Sequence, residues 1–261
     1  MNITIINDCL DANASGRQIT RATSLLGGPI SFIGVANDLE AGGNLVDALD
    51  AIDGRAGVVL VNVAPRGGVA KKWKNGTPFG YFWHKSTLVI ASIDGFTLSL
   101  VKKLHLIDFI NIVDISIAIN ILTEDVPISS NRKRHIINSQ FRSYDFLPRL
   151  AAFLLKHKHV ASTRLDISKI ISAPLTIWWI DNFGNCKTTL LLRDIASRKD
   201  GLVTTNLGPL HFYSRLKDVP DKRAALIVGS SGLGDGRFLE IVIQGASAAQ
   251  YLGLSSGDAI F

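Results

Sequence analysis

Residues 178–190 read WWIDNFGNCKTTL. The apolar, strand-forming run Trp178-Trp179-Ile180 passes into Asp181-Asn182-Phe183-Gly184-Asn185, and β-forming residues resume with Thr188 and Thr189. Asx side chains bond their own backbone and glycine accepts positive φ, so the stretch predicts two strands joined by a tight turn. Outward from it, toward the C terminus, strand patterns recur at 175–180, 188–192, 201–205, 224–228 and 238–243. In the last, Phe238, Glu240 and Val242 alternate with Leu239, Ile241 and Ile243, the period of a strand. Residues 172–261 therefore predict a smaller, all-β, barrel-like domain.

Toward the N terminus the pattern changes to alternating strands and helices. Strands are expected at 3–6, 29–35, 57–63 and 87–92, and helices at 17–26, 44–52, 95–104 and 144–158. Leu45, Ala48, Leu49 and Ile52 share one helical face, as do Leu147, Leu150, Ala151 and Leu154. The run GVVLVNV at 57–63 is nearly continuous, as in a strand covered on both faces. This alternation predicts an α/β domain with a mainly parallel sheet over residues 1–165, with a boundary near 160–172.

Composition bounds the function classes. The 261 residues are 47% hydrophobic and 19% charged, a globular balance with room for two cores. MNITIINDCL starts a buried strand almost at once, without a cationic segment or cleavage site, so no secretion signal is expected. The most apolar stretch, 104–122, is interrupted by Asp108, Asn111, Asp114 and Asn120, which argues against a membrane span. Cys9 and Cys186 are few and distant, which favours a reduced, cytoplasmic setting. The net charge of +6 lies in three separated clusters at 71–74, 132–135 and 156–159. No nucleic-acid motif surrounds them, so they read as solvated surface and nucleic acid is not an expected partner. Residues 229–236, GSSGLGDG, follow a strand but precede another strand, with the wrong glycine spacing for a dinucleotide fingerprint. They read as a hairpin connection.

Several of these segments together resemble the S-adenosylmethionine (SAM) hydroxide adenosyltransferase and SAM-dependent halogenase family. Residues 180–189 are similar to the family's I-D-x-F-G-N-x-x-T-N motif, with Thr189 in place of the final Asn. There the Asp and the second Asn hold SAM, which implies that role for Asp181 and Asn185. Ser230-Ser231-Gly232, then Phe238-Leu239-Glu240-Ile241, then residues 245–249 follow the order of the family's S-S-G, L-E-I-A and G-x-A-A segments. Residues 252–258, LGLSSGD, look like its terminal L-G-L-x-x-G-D. Phe212 or Tyr213 would supply an aromatic surface for adenine.

The N-terminal match is looser. Family members begin with a strand ending T-D-F-G-x-x-D, whose first Asp grips the ribose hydroxyls; here that position is Asp8, the second acidic position is Asn13, and Ser15 lies where halogenases place a serine near the methionine portion. A carboxylate at a strand's carboxyl end suits two adjacent hydroxyls, although a lone Asp there more often caps a helix. The hydrolytic set departs. In the family's V-D-P-G-V-G-x-x-R segment the Asp position is Ala64 and Lys71 stands where the Arg falls; in T-F-H-G-R-D the His is replaced by Arg142. Phe141 and Ser143 coincide with the halogenases' F-x-S, whose serine contacts halide. Arg66, Lys71 and Arg142 would either attract an anion or form surface ion pairs.

The resemblance implies cleavage of SAM at C5′ by water or halide, releasing methionine and adenosine or a halo-adenosine. It assigns Ser143, Arg142 and Lys71 to the reacting side. Asp8, Asn13, Ser15, Phe141, Asp181, Asn185, Tyr213, Ser230 and Ser231 would bind SAM. It also implies a homotrimer with sites between subunits, no metal, and no cofactor beyond SAM as substrate. The altered hydrolytic set leaves open a member that binds SAM or adenosine without turnover.

Overall fold

The computed structural model describes residues 1–64, 76–139, 142–195 and 201–261. Its contacts divide the chain into two compact units, Met1–Ser172 and Ala173–Phe261. The first unit runs β1 (Asn2–Asn7), α1 (Ala12–Leu26), β2 (Ile30–Gly34), α2 (Asp38–Ile52), β3 (Gly57–Asn62), β4 (Phe79–His84) and β5 (Thr87–Ser92). It continues through α3 (Ser99–Lys103), β6 (Phe109–Val113), α4 (Ile115–Asp125), α5 (Ser130–Asn138), α6 (Arg142–Asp145), α7 (Leu147–His157) and β7 (Thr163–Asp166).

These strands form a seven-stranded sheet in the order β2-β1-β3-β5-β4-β6-β7. Ile3 and Ile5 of β1, Val58 and Leu60 of β3, and Leu88 and Ile90 of β5 share a core with Leu147, Leu150 and Leu154 of α7. Each such side chain contributes about 1.5–3 kcal/mol on burial. α2 packs against β1 and β3, and α3 against α2. Right-handed crossovers in opposite directions, β1 to β2 and β2 to β3, place α1 and α2 on opposite faces. That explains why β3 is apolar almost throughout.

The sheet is less parallel than its sequence suggests. β2-β1, β1-β3 and β3-β5 are parallel, whereas β5-β4, β4-β6 and β6-β7 are antiparallel. The reversal is made by the β4–β5 hairpin, where Lys85 takes φ 52°. His84 is half-buried at the end of β4. The helix expected over 95–104 shrinks to Ser99–Lys103. Gly95 sits at φ 63° against Asp38, whose Oδ2 accepts the Phe96 N–H at 2.8 Å, and this pins the preceding chain to the start of α2. The apolar stretch at 104–122 becomes β6 and most of α4, which Asp114 caps. Among the described residues no helix is long and apolar enough to cross a membrane.

The second unit contains β8 (Ile177–Ile180), β9 (Cys186–Leu191), β10 (Leu202–Thr205), β11 (Gly208–Tyr213), β12 (Ala224–Leu233), β13 (Gly236–Ile243) and α8 (Ala248–Leu252). Its six strands pair in the order β10-β11-β12-β13-β9-β8. Ile177, Leu190, Leu226, Leu239 and Ile241 form its core with Ala248 and Ala249 of α8. Residues 257–260 lie beside the first strand. Ile177 N donates to Asp258 O at 3.0 Å, Gly257 N to Ile177 O at 2.8 Å, and Thr176 bridges Ala259. On the other side of this segment Asn206 N donates to Ile260 O at 2.8 Å, so it links the two edges of the sheet. Among the described residues no ladder joins β8 to β10 directly.

Candidate functional site

In the first unit the strand order 2-1-3 makes the gap between the carboxyl ends of β1 and β3 a topological switch point, where open α/β sheets admit ligands. Asn7 and Asn62 stand opposite one another there, and Asp8 and Ala64 follow just beyond. Asp8 is buried, and its Oδ2 accepts the Ala64 N–H at 3.1 Å. The turn behind it is fixed by Asn7, whose Oδ1 accepts Cys9 N–H at 2.8 Å and whose Nδ2 donates to Gln18 Oε1 at 3.0 Å. Asp8 does not cap α1: that is done by Asp11, which accepts the N–H groups of Asn13 and Ala14, both at 3.0 Å. Glu40, another carboxylate at this edge, is committed to the start of α2. It accepts Ala36 N–H at 3.0 Å, and burial raises its pKa.

Asn13 is exposed on the first turn of α1 and lines a cavity of about 570 Å³ with Arg17, Thr20, Arg21, Ser24 and Tyr144. Ser15 turns its hydroxyl back into the helix, donating to Asp11 O at 2.8 Å. Arg142 is only 4% exposed; its Nη2 donates to Ile137 O at 3.3 Å, its Nε is buried without a partner among the described residues, and burial lowers its pKa. A Cβ on Gly76 would lie 3.1 Å from Arg142 Nη1, so glycine there makes room for the guanidinium. Ser143 is half-buried beside it on α6. Lys71 and Phe141, like Arg66, lie outside the described residues.

In the second unit Asp181 braces the β8–β9 turn. Its Oδ1 accepts the N–H groups of Phe183 and Asn185, both at 2.9 Å, and its Oδ2 accepts Asn185 Nδ2 at 3.0 Å. Gly184 has φ 83°, and an added Cβ would come within 1.9 Å of Ser247 Oγ. Gly184 O accepts Ala249 N–H at 2.9 Å, so the turn is seated on the start of α8. Cys186 behind it is fully buried, and burial, then the charges of Asp181 and Asp258, push its thiol up to about 12.

Ser230 and Ser231 meet a residue that the sequence did not single out. Lys187 Nζ donates to Ser231 Oγ at 2.6 Å and Ser230 Oγ at 3.2 Å, and lies 3.5 Å from Glu240 Oε1. Glu240 Oε1 also accepts Ser230 N–H at 3.1 Å. The register explains the meeting: Trp179, Lys187, Glu240, Ile227 and Tyr213 form one transverse row across five strands. Of the two aromatic candidates, Phe212 packs toward the main core, whereas Tyr213 faces the other side with Ile227. A lone lysine between β-formers carries no local signal; only strand pairing brings it to Glu240. Among the described residues no group of His, Cys, Asp and Glu is arranged to hold a metal.

An α/β unit with a carboxylate at its switch point is thus followed by a β-sheet unit whose turn is cross-braced by Asp and Asn. Residues 175–261 match the family model of the SAM hydroxide adenosyltransferase C-terminal domain. The match covers the second unit, and it is this part of the chain that is similar to that family. Two solved structures are similar over nearly the whole chain. An uncharacterized conserved protein from Thermotoga maritima is 16% identical, with 98% of this chain and 97% of that one covered and a TM-score of 0.66. A conserved hypothetical protein from Thermus thermophilus is 15% identical, with the same coverages and a TM-score of 0.55. At such identities the likeness shows the fold. No curated protein matches the chain.

Proposed function

We propose that the protein cleaves SAM by nucleophilic attack at C5′, releasing methionine and either adenosine or a halo-adenosine. The family supports SAM-utilising, adenosyltransferase-type chemistry in general. The observation that carries the finer reading is the Asp181–Asn185 brace inside the matched residues. Three local hydrogen bonds orient the carboxylate. About four acceptor positions are available to a carboxylate, so one is left for a ligand donor. In this reading Asp8 takes the ribose hydroxyls, Asp181 and Asn185 hold the nucleoside from the other unit, Tyr213 supplies an aromatic face, and Ser230 and Ser231 face the ligand. A homotrimer would bring the two halves together between subunits.

The chemistry asks little of the protein. Methionine leaves as a neutral thioether, so no general acid is needed, and the task is to align and desolvate a nucleophile behind C5′. Ala64 and Arg142 replace the family's water-activating Asp and His, whereas a halide needs no base. The buried Arg142 guanidinium, with its unpartnered Nε, suits an anionic nucleophile beside Ser143.

Incubating the purified protein with SAM, with and without chloride, tests this reading through adenosine, chloro-adenosine and methionine. A second reading, a binder without turnover, is favoured by the missing carboxylate at Ala64. Micromolar SAM affinity with no product under either condition would replace the first reading with the second.

A further inference from the structure

The first unit carries a basic groove whose lining, Asn13 apart, has no part in the SAM reading. Asn13, Arg17, Thr20, Arg21 and Ser24 recur at spacings of three and four, which puts them on one stripe of α1. At 1.5 Å per residue, the stripe runs about 16 Å along the helix, away from the strand end that bears Asp8. Tyr144 of α6 closes the groove. The guanidinium carbons of Arg17 and Arg21 lie 4.7 and 4.6 Å from its ring centroid, and Arg21 Nη2 donates to its hydroxyl at 2.7 Å. That hydrogen bond also lowers the phenol's pKa.

Positive charge here exceeds its compensation. The buried Asp145 is shared by Arg21, at 3.3 Å, and Arg132. Arg149, close enough to feel both of those arginines, has a buried Nε without a partner among the described residues. Held over one ring, the two guanidinium groups lie close together, and each has more N–H donors than its contacts with Tyr144 and Asp145 use.

We propose that this groove binds a small ligand bearing a phosphate group, whose terminal oxygens accept from Arg17 and Arg21 and from the hydroxyl of Thr20. A phosphate presents several acceptor oxygens and up to two negative charges, which matches several converging donors better than a neutral nucleoside does.

The test is calorimetric or NMR titration of the full chain with inorganic phosphate, beside sodium chloride at matched ionic strength. Saturable phosphate binding, about millimolar or tighter, is expected, with no saturable response to chloride. Arg17→Gln, at an exposed residue outside the Asp145 pairs, should weaken phosphate binding ~tenfold or more, and Thr20→Val should weaken it less. Equal responses to phosphate and chloride, or unchanged phosphate affinity in Arg17→Gln, would overturn the proposal. SAM binding and turnover are separate readouts, and neither result depends on them.

Discussion

The backbone N–H of Ala64 donates to Asp8 Oδ2 at 3.1 Å, joining the carboxyl ends of two adjacent parallel strands. The residue at the family's hydrolytic Asp position therefore contacts the proposed ribose ligand through its backbone, whatever its side chain. Two substitutions separate the structural and functional sides of this contact. Asp8→Asn keeps an oxygen for the Ala64 N–H, so unfolding free energy should change by no more than about 1 kcal/mol. Its SAM affinity, measured by calorimetry, should fall ~tenfold or more with the loss of a charge-assisted acceptor. Unchanged affinity would remove Asp8 from the site.

Ala64→Asp restores a carboxylate where water would be oriented. Adenosine release from SAM in chloride-free buffer should rise above that of the natural chain, while Ala64→Asn should give no comparable gain. Equal rates for all three proteins would show that this position does not limit hydrolysis.

Gly184→Ala meets two obstacles, a positive φ and a hydroxyl oxygen 1.9 Å from the new Cβ. Urea unfolding should show a loss of about 2–4 kcal/mol. Adding Ser247→Gly should recover part of the steric share, since it removes the Oγ and Cβ but leaves the residue's Cα 2.9 Å from the new Cβ, and glycine at a helix N-cap itself costs only a few tenths of a kcal/mol. A double variant no more stable than Gly184→Ala would mean that the positive φ and the nearby backbone account for the whole effect.

Lys187 and Glu240 are 15% and 8% exposed, so removing one charge strands the other in a poorly solvated place. Lys187→Met should cost about 3 kcal/mol, and Lys187→Met with Glu240→Leu should recover most of it. A double-mutant cycle on urea midpoints reads the coupling directly; strict additivity would show that the two side chains do not interact.

The cysteines should differ sharply in reactivity. Cys9 is exposed, whereas the Cys186 thiol is buried and pushed up to about 12 from an ordinary 9.0. Iodoacetamide at pH 8 should add one label to the native protein, at Cys9, and two after denaturation. Because the folded thiol ionises later than the unfolded one, its contribution to stability is intact below pH 9.0 and is lost as pH rises toward about 12. Rapid labelling of native Cys186 would contradict this burial.

Much of the architecture could be read locally. The apolar run at 57–63 did become a strand covered on both faces, and the alternation at 238–243 became β13. The omissions have physical causes. β4 is followed by a turn at Lys85-Ser86, where a lysine takes positive φ without a Gly, Asn or Asp to signal it. β11 contains Pro209, which ordinarily argues against a paired strand. It is tolerated because the β12 ladder on that side begins only at His211. At the site, the Asp181 turn was legible because Asx and Gly chemistry is local. Lys187 was not, since its partners Ser231 and Glu240 lie 44 and 53 residues away in the chain, a separation only sheet register can bridge.

The pairing of residues 257–260 with the start of β8 has a consequence for biosynthesis. On a ribosome, Thr176 and Ile177 emerge some eighty residues before the backbone groups of Gly257, Asp258 and Ala259 that complete their hydrogen bonding. The β8–β9 and β10–β11 pairs join neighbours in the chain and can form early, but the unit cannot be completed progressively. It must wait, with its Asp181 turn unsupported by α8, until nearly all of its length has cleared the exit tunnel, and any stop codon upstream of Gly257 would leave that wait without an end.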